Sequence, residues 1–258
     1  MMKAVLVDLN RCTGCRACQV ACKSWNDNPA EVTMCLGCYD NPPDFSADTW
    51  SLIRFDEVEY NNKFHWVFTK RQCMHCEEPA CVTVCTVGAL EKTPNGPVIY
   101  HPEKCIGCRY CQYGCPFGVP RFEWDNPLGL IRKCRFCVDR LDTGMEPACV
   151  KACPTDALIF GDREALLTEA YGRIADRPDK YVNHVYGDKE AGGTSWLYIS
   201  PVPFEKLGFP VLGEEPTVHA SEIVMNATPV TLTAAIAALS GLYWLTKRRD
   251  EGMKEKEG

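Results

Sequence analysis

The sequence predicts an α+β fold of two pseudo-symmetric modules of cysteine-bearing loops, interrupted by a β-hairpin insertion and followed by one C-terminal transmembrane helix. Three observations predict it: 18 cysteines in a chain of 258 residues, a cysteine spacing that recurs four times, and an apolar run near the C-terminus. With 46% hydrophobic and 24% charged residues the chain has the composition of an ordinary folded protein, which argues against disorder. The net charge is -6 and the basic residues are scattered among the cysteines. That distribution excludes the concentrated basic face that nucleic acid requires.

Sixteen cysteines fall into four groups. Group one is Cys12, Cys15, Cys18 and Cys22; group two is Cys73, Cys76, Cys81 and Cys85. Group three is Cys105, Cys108, Cys111 and Cys115; group four is Cys134, Cys137, Cys149 and Cys153, stretched by the insertion VDRLDTGMEPA. Pro116 and Pro154 follow the last cysteines of groups three and four. A loop with a cysteine at every third residue curls around three corners of an iron–sulfur cube, and the fourth corner needs a thiol from elsewhere. Runs of this kind exchange their fourth cysteines, so four runs build four [4Fe–4S] clusters. Structural zinc would use two C-x-x-C pairs per ion and leave a third close cysteine idle. Cysteines this close along one loop cannot all reach disulfide geometry.

In chain order, residues 1–165 read as the four-cluster domain, with residues 23–72 as an insertion. Within it SLIRFDEVEY and KFHWVFTK alternate in polarity around Asn61-Asn62, a hairpin signature. A second hairpin is expected around Pro94-Asn95-Gly96. ALIFGD reads as a strand and REALLTEAYGRIA as an amphipathic helix with Ala165, Leu166, Ala170 and Ile174 facing inward. Residues 166–227 are expected as an extended, partner-contacting segment, because the stretch from Gly187 to Pro216 is rich in Pro and Gly. Residues 228–246 read as the membrane helix, with Thr228 as N-cap and Pro229 at its first position. Its apolar run of about 18 residues would span roughly 27 Å. Tyr243 and Trp244 fall where an interfacial belt would lie, and Lys247, Arg248 and Arg249 open a charged cytoplasmic tail over 247–258.

Arg16, Arg109, Lys133 and Arg135 stand beside ligands and could tune cluster potentials through their charge, or simply be solvated. Cys35 and Cys38 remain outside the four groups; a redox pair, a further metal site and idle thiols on a surface loop are the alternatives, and the loop is favoured. The five histidines, His75 and His219 among them, read as packing or hydrogen-bonding residues. No nucleotide loop, nucleophile motif or metal-binding His pair occurs, so the expectation is electron transfer without catalysis. The N-terminus leaves no room for an export signal before Cys12, and an outward-facing cluster domain would then cross the membrane attached to a subunit bearing a twin-arginine signal.

The four cysteine runs, the insertion with WNDNPAE and YDNPPDFSADTW, the CMHCEEPAC and CIGCRYCQYGCPFGVPR runs, GGTSWLY and the terminal helix together carry a family resemblance. The chain resembles the iron–sulfur β subunit of membrane-bound respiratory formate dehydrogenases, within the wider group serving molybdopterin oxidoreductases and some hydrogenases. The resemblance implies that groups one and four interlock, as do groups two and three. One cluster would then use Cys12, Cys15, Cys18 and Cys153, and its neighbour Cys22, Cys134, Cys137 and Cys149. The second pair would use Cys73, Cys76, Cys81 and Cys115, then Cys85, Cys105, Cys108 and Cys111. It also implies partners: a molybdenum or tungsten catalytic subunit, and a membrane cytochrome b or quinone site. The cluster domain would be periplasmic. A hydrogenase or sulfur-compound reductase subunit and a soluble polyferredoxin carrier are the alternative readings.

Overall fold

The computed structural model describes the backbone of residues 2–34 and 37–257, and their side chains except at 219–226 and 250–257. The chain divides into two units, one ending at Thr217 and one beginning at Val218. The first unit opens with β1 (Lys3–Asp8) and α1 (Ala17–Trp25), then β2 (Ser51–Tyr60) and β3 (Lys63–Gln72). Next come α2 (Ala80–Thr83), β4 (Leu90–Lys92), β5 (Val98–Tyr100), α3 (Tyr110–Gly114), β6 (Arg121–Phe122) and β7 (Ile131–Arg132). The unit closes with α4 (Val138–Leu141), α5 (Ala148–Lys151), β8 (Leu158–Asp162), α6 (Arg163–Asp176) and β9 (Trp196–Ile199).

Among the described residues one sheet has more than two strands, in the order β8-β1-β9, β1 pairing antiparallel with β8 and parallel with β9. Ala4, Val5, Leu6 and Val7 of β1 are all buried, the continuous apolar run expected of a central strand covered on both faces. Alternation then sorts the residues. Val5, Val7, Trp196 and Tyr198 enter the main core, whereas Ala4, Leu6, Leu197 and Ile199 meet Leu166, Leu167, Ala170 and Ile174 of α6. Each of the leucines and isoleucines buried there contributes about 1.5–3 kcal/mol. Of the inward positions read from the sequence, Ala165 is instead exposed, and Leu167 packs in its place.

The extended segment expected over 166–227 is corrected by this sheet. Residues 163–176 are helical, and Trp196–Ile199 is an integral strand with every residue buried. The physical reason is a short β-forming run, Trp-Leu-Tyr-Ile, between glycine turns. Gly187 has φ +94, and a Cβ there would lie 2.3 Å from the Trp196 carbonyl oxygen, so only glycine permits this close approach. Arg163 ties the segment down, donating to the carbonyls of Thr194 at 3.0 Å and Asp188 at 2.7 Å and pairing with Glu77 at 2.8 Å.

The remaining strands form two-stranded ribbons. β2 and β3 pair over ten positions from Ser51↔Gln72 to Tyr60↔Lys63, and Asn61 and Asn62 take positive φ at the turn, the conformation of a type I′ hairpin. β4 pairs with β5, and β6 with β7. Helices pack in two corresponding pairs, α1 on α5 and α2 on α3.

In the second unit, α7 (His219–Glu257) begins well before the expected N-cap, so Thr228 is not the cap and Pro229 lies inside the helix. Proline there forgoes one backbone hydrogen bond, a loss confined to one turn of a 39-residue helix. Within it Ala227–Arg249 is 23 residues with mean hydropathy 1.3 and none of it buried, about 35 Å long against roughly 30 Å of hydrocarbon. The Thr231, Thr233 and Thr246 hydroxyls donate to helix carbonyls, at 3.0 Å to Thr228, 2.7 Å to Pro229 and 3.1 Å to Leu242. Polar groups are thereby satisfied inside the helix, as lipid demands.

A pH-sensitive clasp holds the turn before β9. His184 Nε2 meets Glu190 Oε1 at 2.6 Å, and Glu190 Oε2 accepts from the Gly187 N–H at 2.7 Å. The hydrogen bond to Glu190 raises the His184 pKa; burial opposes ionisation of Glu190, but the bond from His184 and those from backbone N–H groups together outweigh it and lower that pKa. The histidine contribution is complete below its unfolded value of about 6.5 and fades as pH rises through the folded value; the glutamate contribution is complete above about 4.5. Amide exchange over residues 187–199 is therefore expected to be best protected between these values and to loosen above them. His184→Gln should remove the alkaline part of that dependence.

Candidate metal centres

The four cysteine groups are built in two ways. In groups one and three the loop reads Cys-x-Gly-Cys-Arg, with Gly14 and Arg16 at φ +67 and +61, and Gly107 and Arg109 at +68 and +65. Two left-handed residues per loop curl the backbone around its thiols. The Gly107 N–H donates to Cys105 Sγ at 3.4 Å, and the Gly14 N–H favours the Cys12 thiolate in the same way. Each loop is seated on a hairpin: a Cβ at Gly14 would meet the Phe68 ring at 2.9 Å, and one at Gly107 the Gly129 carbonyl at 2.9 Å. Both arginines lie over hairpin aromatics, Arg16 at 4.8 Å from Phe55, and Arg109 at 5.3 Å from Phe122 and 4.9 Å from Trp124.

Groups two and four share the string Glu-Pro-Ala-Cys-Val at 78–82 and 146–150. In each the proline precedes a four-residue helix, α2 or α5, that carries the third cysteine. A left-handed residue, His75 or Phe136, precedes the second cysteine. The Phe136 N–H donates to Cys134 Sγ at 3.4 Å, and the Ala89 N–H to Cys85 Sγ at 3.2 Å. The group-four insertion holds α4, whose Arg140 lies 4.4 Å over the Trp25 ring at the end of α1. The shared pentapeptide was a readable signal that spacing alone does not capture.

All 17 described cysteines are free thiols; Cys35 lies outside the described residues, as does the His219 side chain. Cys12, Cys15, Cys18 and Cys153 line one cavity, and Cys22, Cys134, Cys137 and Cys149 line a second. In the other half, burial raises the Cys76 pKa well above normal, and Cys73, Cys115 and Cys81 add to it. Burial likewise pushes Cys111 up to about 12, with Cys105, Cys85 and Cys108 adding to it. Charges also act between sets, Cys149 on Cys18, Cys73 on Cys134, and Cys111 on Cys81. Cys38 stands apart, exposed, with its Sγ 3.6 Å from the Asp40 carbonyl oxygen.

Thiols crowded in fours and desolvated ionise only against a strong positive charge, and coordinated metal supplies one. Among the described residues no three His, Cys, Asp or Glu side chains converge as ligands of a single ion; eight of the thiols line the two cavities instead. Trp196, which lines the second cavity, has a buried donor without a partner, its Nε1. His75 Nε2 is another: its Nδ1 accepts from the Val98 N–H at 2.8 Å, which leaves the proton on the orphaned nitrogen. Backbone and side-chain N–H groups around sulfur are the surroundings that iron–sulfur clusters require, so the residues fit that group.

The cations divide by role. Lys133 is buried and donates to the carbonyls of Val98 at 2.6 Å and Cys134 at 2.9 Å, and its charge favours the Cys81 thiolate. Arg135 lines the second cavity. Lys70, which the sequence presents as one more charge on an alternating strand, is 1% exposed and lines both cavities.

A 4Fe-4S dicluster domain model matches residues 64–163, and a second model, also described as a 4Fe-4S dicluster domain, matches residues 11–89. The chain is 41% identical over 246 residues to the nitrate-inducible formate dehydrogenase iron-sulfur subunit of Escherichia coli (strain K12), covering 93% of this chain and 83% of that one. It is 44% identical over 200 residues to the formate dehydrogenase iron-sulfur subunit of Haemophilus influenzae, covering 76% and 64%. The hydrogenase-2 operon protein HybA of Escherichia coli O157:H7 is 36% identical over 278 residues, covering 95% and 84%.

Iron content tests the grouping of thiols. Cys15→Ala and Cys153→Ala should each lose about four iron atoms per chain, and together no more than either alone. Cys15→Ala with Cys85→Ala should lose about eight. Cys38→Ala should lose none.

Proposed function

The chain belongs to the family of formate dehydrogenase iron–sulfur subunits, and from that premise we propose that it carries electrons through four [4Fe–4S] clusters within a membrane-anchored formate dehydrogenase-like complex. The single observation that carries this reading is the gathering of unbridged cysteines from distant segments around shared cavities, four thiols at each of two. Cys12, Cys15, Cys18 and Cys153 would hold one cluster, and Cys22, Cys134, Cys137 and Cys149 the next. Cys73, Cys76, Cys81 and Cys115 would hold the third, and Cys85, Cys105, Cys108 and Cys111 the fourth. Each bound cluster would take up and release one electron. The charges that Cys149 exerts on Cys18, Cys73 on Cys134 and Cys111 on Cys81 support an order in which each set neighbours the next, as a wire requires.

The repeated loops support two pseudo-symmetric ferredoxin-like modules, one from groups one and four with α1 on α5, the other from groups two and three with α2 on α3. The residues around the thiols exclude water and place N–H donors at sulfur. None of them forms a nucleophile or acid–base constellation, which supports a carrier and leaves catalysis to a partner. That partner would be a molybdenum or tungsten subunit, and the electron acceptor a membrane cytochrome b or quinone site. Ala227–Arg249 would anchor the chain, with Lys247, Arg248 and Arg249 on the cytoplasmic side and the cluster unit on the periplasmic side. The likeness to HybA across 95% of the chain favours one second reading, the equivalent subunit of a hydrogenase.

Purification of the intact complex tests the proposal. It should contain about 16 iron atoms in this chain and a large subunit with molybdenum or tungsten; nickel in that subunit would select the hydrogenase reading. Truncation after Asn226 should release the cluster unit from the membrane fraction with its iron retained. About eight iron atoms in a fully loaded chain would overturn the four-cluster assignment.

A further inference from the structure

Lys70 is a buried cation without a carboxylate. Its Nζ donates to Ser51 Oγ at 2.8 Å and Gln72 Oε1 at 2.8 Å, both neutral, and lies 4.7 Å over the Trp196 ring. The negative charges that act on it come from Cys149, Cys18, Cys134 and the Tyr198 hydroxyl. Burying an unpaired ammonium costs several kcal/mol, so a fold that places one here requires an anion beside it. Two further lysines near the cysteines, buried Lys133 and half-buried Lys92, are used differently. Lys133 donates to two carbonyls, and Lys92 to three, those of His75, Cys76 and Gly96 at 3.3, 2.7 and 2.6 Å. They staple loops together; Lys70 touches no backbone.

The position of Lys70 distinguishes it further. It lines the cavity of Cys12, Cys15, Cys18 and Cys153 and also that of Cys22, Cys134, Cys137 and Cys149. Its charge acts on thiols of both sets, Cys12 and Cys18 in the first and Cys22 in the second. β3 delivers it from the hairpin, opposite Ile53, and the neighbouring pair Ser51↔Gln72 supplies both acceptors. The hairpin base thus holds one positive charge between two metal centres.

We propose that Lys70 is a shared counter-charge that raises the midpoint potentials of the two clusters flanking it and leaves the other two largely unaffected. The inference rests on the four-cluster reading. When a cluster gains one electron its negative charge grows by one; a fixed cation in a water-poor site stabilises that reduced state more than the oxidised one. Because one ammonium serves both clusters, both potentials move together. The hairpin insertion then has an electronic role: it sets the level of one half of the wire.

The test is an EPR-monitored redox titration of the intact complex, after iron analysis, with wild type, Lys70→Met, Lys70→Arg and Gln72→Glu. Wild type must first show about 16 iron atoms; a lower count sinks the four-cluster reading and is recognised before any potential is measured. Lys70→Met should move two of the four cluster signals downward. The expected shift is at least a tenfold change in the reduced-to-oxidised ratio at fixed ambient potential, about 59 mV for one electron. Lys70→Arg should restore most of it. Gln72→Glu keeps the lysine and the side-chain shape while adding a neutralising carboxylate, and should move the same two signals downward with full iron content. It decides the matter if Lys70→Met fails to load. Unchanged potentials in loaded Gln72→Glu, or equal shifts of all four signals, would overturn the proposal.

Discussion

A buried thiol resists ionisation, and this chain crowds thiols together and buries many of them. Burial pushes Cys18, Cys22 and Cys81 up to about 12, with neighbouring thiols adding to it and the charge of Lys70, or of Lys133 at Cys81, opposing it. Such an arrangement is unfavourable for the polypeptide by itself and becomes favourable when a positive metal group binds. The rest of the architecture follows from holding that arrangement together. Left-handed residues curl the loops, N–H groups point at sulfur, and short helices deliver the third thiol of each run.

The same constraint explains why so little of the unit is regular structure. A loop that must curl around a cube cannot also supply a strand, so the sheet is built from the remaining segments: the N-terminus, the stretch after group four, and Trp196–Ile199. That last strand also backs the ligand loops. The Ser195 N–H donates to the carbonyl of Met74 at 3.1 Å, the Glu77 N–H donates to that of Gly193 at 2.9 Å, and Arg163 clamps Glu77. Sheet, helix α6 and the Cys73–Cys76 loop are therefore one mechanical assembly rather than a domain with an appended tail.

What could be read from the sequence was local. The cysteine groups were legible because cluster ligation depends on short spacings along the chain, and β8 and α6 because alternation and helical periodicity mark ALIFGD and REALLTEAYGRIA. Leu167 was missed in favour of Ala165 because the sheet face that covers α6 is wider than a single stripe of i and i+4 positions. Strand β9 was hidden because four β-forming residues sit within prolines and glycines, and their partners are residues 5–8. Lys70 was illegible for a related reason. A lysine on an alternating strand reads as solvated, and only the cross-strand pair of Ser51 and Gln72, together with thiols from two remote groups, makes its burial tolerable.

The parallel pairing of β1 with β9 has a consequence for how the chain is made. A ribosome releases residues 3–8 well before their partners at 158–162 and 196–199, so a largely buried strand waits unpaired while the four cysteine groups are made. The thiols follow the same nesting: Cys12 meets Cys153, while Cys73 and Cys115 lie between them. The inner half can close while the outer half is still incomplete. The order of the segments thus favours assembly from the centre outward, and β1 pairs only once residues 158–162 and 196–199 have been made.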